Sequence, residues 1–241
     1  AQASEVATLI IRLITSWDIL EYLRPDRNAG DRSSVEAFDV HYALKGLDKS
    51  PSVACIGITA NLQGKRADLL IADDVETTKN GLTVVQRSQL LVLTKDFSSI
   101  CTHGDILYLG TPQTKDSIYN TLPGRGFDVR IWPGRFPTPE EVEKYGERLA
   151  PFLSERIKAD PTLQTGGGLD GSKGKPADAH RYNEKDLCDK ELDQGPEGFQ
   201  LQYMLDTSLS DAARQQLKLI DLLVANFDHE RLPEIIVYQA A

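Results

Sequence analysis

Long apolar runs are missing from this sequence. Runs such as residues 9–11 and 90–93 fall far short of the ~20 apolar residues that a membrane-crossing helix needs. Cysteine is scarce. Cys55, Cys101 and Cys188 are an odd number at irregular spacing, which fits a reducing cytosol better than a disulfide framework or a zinc site. His41, His103, His180 and His229 show no metal-ligand spacing and read as surface or capping residues. Positive charge is in deficit, 27 Lys and Arg against 36 Asp and Glu for a formal charge of −9. The basic residues are scattered, so no stripe for tracking phosphates is visible, and a nucleic-acid coat protein is disfavoured. Met204 is the one methionine, so no initiator is present. Residues 1–5 lead into an apolar stretch without the basic region or cleavage pattern of a signal peptide. Both ends are abrupt, and the expectation is a piece cut from a longer protein.

What remains is ordinary globular material, 40% hydrophobic and 26% charged. Val6, Leu9, Ile10, Leu13, Ile14, Trp17 and Leu20 recur at mostly three- and four-residue spacing and predict an amphipathic helix over 5–23, stopped before Pro25. Short strands are predicted over 35–42 and 52–59. The near-continuous apolar run at 68–72 suits a strand buried on both faces of a parallel sheet. A helix over 82–98, a second buried strand at 105–109 and a third at 127–132 follow. A charged helix is predicted over 138–158, opened by Thr138 and Pro139. Residues 164–180 hold five glycines and no apolar periodicity, which predicts a flexible connection. Helices are expected over 183–193, 197–205 and 210–227. Trp17 and Trp132 read as core residues, and Cys55 and Cys101 as small apolar packers. Alternating strands and helices followed by helices alone predict an α/β core with a small helical subdomain.

The chemical signal is the acidic end of the first buried strand, Ile71-Ala72-Asp73-Asp74-Val75-Glu76. Ligands of open α/β sheets bind outside the carboxyl ends of the strands. One carboxylate there can hold magnesium, and another can orient and deprotonate water. The second strand ends in Gly110-Thr111-Pro112-Gln113-Thr114, whose hydroxyl and amide groups could sense a phosphate. Two such strand ends fit the Walker B and sensor strands of a P-loop ATPase. The Gly-x-x-x-x-Gly-Lys-Ser/Thr loop that cradles phosphates is absent: neither Gly64-Lys65 nor Gly174-Lys175 is followed by Ser or Thr.

At these strings the sequence resembles a family, the large terminase subunits of autographivirus-type short-tailed bacteriophages, the ATPases that package DNA into proheads. The resemblance runs through Ser50-Pro51-Ser52-Val53, Gly57-Ile58-Thr59, Gly64-x-Arg66-Ala67-Asp68, Ile71 to Glu76, Tyr108 to Thr114, Ile131-Trp132-Pro133 and Arg148-Leu149-Ala150-Pro151. It continues through Gly198-Phe199, Leu201-Gln202-Tyr203-Met204-Leu205 and Leu209-Ser210-Asp211-Ala212. It implies a P-loop NTPase (RecA/ASCE-like) α/β fold with a mostly parallel sheet, incomplete at its N-terminus. Residues 1–163 would be the latter part of the ATPase core, 164–180 the flexible loop, and 181–241 a helical linker subdomain leading to a nuclease domain outside the chain. It also implies ATP and magnesium as cofactors, and double-stranded DNA, a portal protein, a small terminase subunit and a homo-oligomeric ring as partners, in the host cytoplasm at the prohead portal. Asp73 resembles the magnesium acid. Asp74 stands where many relatives carry the catalytic Glu, with Glu76 a nearby substitute. Thr111, Gln113 and Thr114 match the coupling motif that links hydrolysis to movement of the helical subdomain. The arginine that many terminases place before the glycine equivalent to Gly64 is Gln63 here, and Arg66 is the nearest cation. A helicase-like ATPase and a non-catalytic module retaining the fold are the rival readings.

Overall fold

A computed structural model describes residues 2–208 apart from 48, 63, 78 and 82. The helix expected over 210–227, the motif at 209–212 and Gln63 lie outside the described residues.

The first apolar stripe folds as α1, Gln2–Ser16, continued by a 3-10 turn at Asp18–Leu23. Ala7 and Ile14 are buried, but Trp17 is not the core residue that the sequence predicts. The backbone leaves helical geometry at Trp17 (φ −98°, ψ 121°), and the ring is more than half exposed. Next come β1, Ala37–Phe38, the short helix α2, Tyr42–Lys45, and β2, Val53–Ala54, which pairs antiparallel with β1. The predicted strands thus shrink to two residues each.

Asp39 holds this region together. Its buried carboxylate accepts from Arg32 Nε at 2.9 Å, Lys45 Nζ at 2.8 Å, and the backbone N–H groups of Arg32 at 3.0 Å and Ser52 at 3.3 Å. Burial alone would raise the Asp39 carboxyl. The hydrogen bonds from Lys45 and Arg32 outweigh it and hold the group well below the usual carboxylate range. A carboxyl depressed in the folded state stabilises the fold above its ordinary value, 3.8, and loses that contribution as the pH falls below it. Asp39→Asn is expected to weaken the region by about 2 kcal/mol, the scale of hydrogen bonds to charged groups. Hydrogen exchange at the Val40 and Ser52 amides of the full-length protein would then speed up roughly thirtyfold at neutral pH and much less below pH 3.

The centre of the structure is a parallel pair. β3, Leu69–Asp73, leads through α3, Val84–Lys95, and α4, Phe97–Ile100, to β4, Asp105–Leu109. Parallel neighbours require such a crossover. Thr83 and Gln86 start α3 with reciprocal side-chain to backbone bonds. The register sets Leu69 opposite Asp105 and Asp73 opposite Leu109. Leu70, Ala72, Ile106 and Tyr108 pack on Phe97 and Ile100, with Ile58, Leu62 and Ala67 around them. The opposite face, Leu69, Ile71, Leu107 and Leu109, is about half exposed, Leu69 at 57% and Ile71 at 54%. Burial on both faces, as the apolar run predicts, is therefore realised on one face among the described residues. The run encodes a covering layer that these residues do not supply.

After α5, Ile118–Thr121, the third predicted strand does not form. Ile131 makes a single bridge to Leu149, and Pro133 has no N–H with which to extend a ladder. Trp132 stacks on Phe152 at 5.9 Å on the surface, not in the core. The predicted charged helix is two helices, α6, Pro139–Tyr145, and α7, Pro151–Ala159. Gly146, at φ 56°, ends the first, and Pro151 at the first position opens the second. Tyr145 of the first and Leu153 of the second pack in one cluster with Phe136 and with Leu149 and Ala150 of the connection between them. α8, Glu184–Gln202, bends at Gly195 (φ 72°) just before Pro196, so the two predicted helices lie end to end. It buries Leu187 and Phe199 with Met204.

The glycine-rich stretch is not a loose connection. Gly167 and Lys173 bond each other's backbone at 2.7 and 2.9 Å, Lys175 N–H donates to Leu163 at 2.8 Å, and Phe136 N–H donates to Lys175 at 2.8 Å. Arg135, 1% exposed, fixes it from beneath: Nη1 donates to Gly174 O at 3.2 Å and to both Glu184 carboxylate oxygens at 2.8 Å. Glu184 in turn accepts from Gly168 N–H at 2.8 Å. The glycines permit close approach rather than motion: a Cβ on Gly174 would fall on the Phe136 carbonyl.

Candidate active site

Because β3 and β4 are parallel and in register, their carboxyl ends open side by side. Asp73 is the last residue of β3 and half-buried. In a strand, neighbouring side chains alternate between faces. Asp74 escapes that rule because the chain turns there, at φ 44°, a left-handed conformation that Asp tolerates better than most residues. Its N–H donates to Leu109 O at 2.9 Å, which pins the turn to the end of β4. The Asp74 residue is largely exposed, yet its carboxyl is partly desolvated. That desolvation, and then the charge of Asp73, push its pKa above the ordinary carboxylate value. Neither acid makes an ion pair among the described residues. Adjacent carboxylates without a cationic partner repel each other and offer hard oxygen donors. No group of three or more His, Cys, Asp or Glu side chains is placed to hold a metal among the described residues. Magnesium suits the pair nonetheless, since it commonly takes one or two carboxylates and completes its shell with water and substrate phosphates.

Glu76 stands apart from the other two acids. It is 2% exposed, and both carboxylate oxygens are occupied: Oε1 accepts from Gln113 N–H at 3.2 Å and Oε2 from Ile118 N–H at 2.8 Å. Its own N–H points at the Tyr119 hydroxyl at 3.5 Å, and that hydroxyl donates to Leu109 O at 3.3 Å. Burial above all, with the charges of Asp74 and Glu76 adding to it, pushes the Tyr119 phenol up to about 12. The ring takes the space over Gly110, where a Cβ would fall on the hydroxyl.

The segment after β4 therefore sits between the acids and α8. Thr111 is half-buried, and its carbonyl accepts from Gln113 Nε2 at 3.1 Å. Gln113 Oε1 accepts from Gln202 Nε2 of α8 at 3.4 Å. Asn120 Nδ2 spans the same gap, to Thr114 O at 3.3 Å and Thr207 Oγ1 at 3.2 Å. Thr114 is 2% exposed, and its hydroxyl is buried without a hydrogen-bond partner. The structure thus brings Asp73, Asp74, Glu76, Thr111, Gln113 and Thr114 together. It does not bring Arg66 to them. Arg66 is exposed, precedes β3 at the strand's other end, and makes no ion pair among the described residues. Sequence reasoning missed Tyr119, whose hydroxyl joins the two strand ends, and Arg135, which carries no motif of its own. Gln202 lay inside a quoted string, but nothing in the string pointed to Gln113.

No protein-family model matches the chain. A curated relative, the terminase large subunit of Enterobacteria phage T3, is 39% identical over 229 residues, which is 93% of this chain and 37% of the relative. The chain thus spans little more than a third of the length of the relative it matches, and the likeness that the motifs suggest extends over nearly all of it.

Proposed function

We propose, from this kinship with the large terminase subunits of T7-like phages, that the chain is part of an ATP-driven motor that packages double-stranded viral DNA into proheads. The observation that carries the reading is the geometry of the two strand ends. The acids of β3 lie beside a β4 segment that reaches across to α8, as a site that converts hydrolysis into movement requires. In this reading Asp73 holds the magnesium of magnesium-ATP, whose bound ion neutralises charge on the transferring phosphate. Asp74 orients the attacking water and takes its proton. Thr111, Gln113 and Thr114 sense the change at the phosphate, and Gln113 passes it to Gln202. The β- and γ-phosphates are cradled by a Gly-Lys-Ser/Thr loop that the 241 residues do not contain. The uncovered face of Leu69, Ile71, Leu107 and Leu109 supports a sheet that continues with the elements bearing that loop, giving the full P-loop NTPase fold. A nuclease domain, a portal protein, a small terminase subunit and a ring of copies in the host cytoplasm belong to the same proposal. Among the described residues no helix is long and apolar enough to cross a membrane.

The test compares two proteins. The full-length protein is expected to hydrolyse ATP with magnesium. The 241-residue chain alone is expected to show no turnover above a blank, because little in it can hold the phosphates. Full-length protein that turns over no ATP, with or without DNA, would refute the proposal.

A further inference from the structure

We infer that Glu76 is a positioning residue: a buried latch that holds the Asp73–Asp74 turn and the 113–118 segment in one arrangement. The inference rests on the ATPase reading above. A general base needs a carboxylate oxygen that meets water, and Glu76 presents neither of its oxygens to solvent. Its two oxygens take the Gln113 and Ile118 amides, and the residue is 2% exposed. What those amides belong to gives the latch its purpose. Gln113 is the residue that touches Gln202 of α8, and Ile118 opens α5, next to Tyr119. Tyr119 then closes the circuit, since its hydroxyl accepts from Glu76 N–H and donates to Leu109 O, the carbonyl that also receives the Asp74 amide. The backbone just beyond Asp74 and the segment that faces α8 are thus held by one side chain. Displacement of the acid turn displaces Glu76, and Glu76 cannot move without releasing or dragging two backbone amides. A buried carboxylate left without those donors is strongly disfavoured, so the unit moves as one body.

The chemistry makes Glu76→Gln a sharp probe. The carboxylate accepts both N–H groups. A glutamine amide accepts one and sets its own NH₂ against the other. In the full-length protein, Glu76→Gln is expected to lower kcat for ATP about ten- to hundredfold, the scale of a small misplacement of a reacting group. The KM for ATP should stay within about twofold, and the acid limb of the pH–rate profile should survive, because the base is still present. Tyr119→Phe removes only the hydroxyl between Glu76 and Leu109. It should lower kcat about threefold with the same split, and it decides the matter alone if Glu76→Gln does not fold. Loss of turnover together with loss of the acid limb in Glu76→Gln would make Glu76 the base and overturn the inference. Full kcat in both variants below their melting temperatures would reduce Glu76 to a structural role and overturn it equally. An inactive wild type would instead point to the ATPase reading itself.

Discussion

Asp74→Asn is expected to cut ATP turnover by the full-length protein a hundredfold or more, the usual scale for loss of a general base, while nucleotide binding stays near normal. The side chain keeps its size and its place on the left-handed turn, and its N–H keeps its bond to Leu109 O. What it loses is the capacity to accept a proton. Asp73→Asn should act differently, weakening magnesium-nucleotide binding and turnover together, because in the proposed function the lost charge is the one that holds the cation. Equilibrium binding of a fluorescent nucleotide, with turnover measured beside it, checks both statements. Normal hydrolysis by Asp74→Asn would assign the base elsewhere.

Arg135→Met is expected to destabilise the 164–180 region by about 2 kcal/mol, the scale of hydrogen bonds to charged groups, because the Glu184 carboxylate left behind is 42% exposed and stays solvated. The methionine keeps part of the apolar stem but leaves Glu184 without its cation and Gly174 O without its donor. The guanidinium also lies 5.7 Å from the centre of the Phe199 ring, so a cation–π contact goes with it. Pairing the change with Glu184→Gln should recover a small part of the loss, since the half-exposed carboxylate left behind is then neutral. Limited proteolysis of the full-length protein reads the effect. Wild type should resist cleavage between 164 and 180, Arg135→Met should be cut there first, and the double variant should fall between them. Wild type cut first in that stretch would contradict the hydrogen-bonded loop.

These two sites show what the sequence makes legible. The acids announce themselves because the signal is local: an apolar run, then carboxylates, at the end where ligands bind in open α/β sheets. The helix starts at Thr83, Thr138 and Asn183 follow from side-chain capping chemistry within three residues. Arg135 gave no such signal, since its partners Gly174 and Glu184 are 39 and 49 residues away. The glycines at 164–180 were ambiguous for the same reason. Glycine serves a mobile linker and a tightly approached backbone equally well, and only the partner across the gap tells which. Residues 127–132 had strand composition but no second strand to pair with among the described residues, so composition alone predicted a ladder that contacts do not provide. Glu76 was visible as an acid, but its burial was not, because the amides that hold it come from 37 and 42 residues downstream.

The Tyr119 ring occupies the space that a side chain at position 110 would need. Positions 110 and 119 are therefore one steric unit written in two places. A protein built on this plan that carries alanine or serine at 110 must shrink or withdraw residue 119, and so give up the hydroxyl that joins the two strand ends. Exchange at either position alone meets a clash or opens a void, so the pair can drift only by simultaneous change. An engineer grafting this site onto another scaffold would have to transplant the glycine and the tyrosine together.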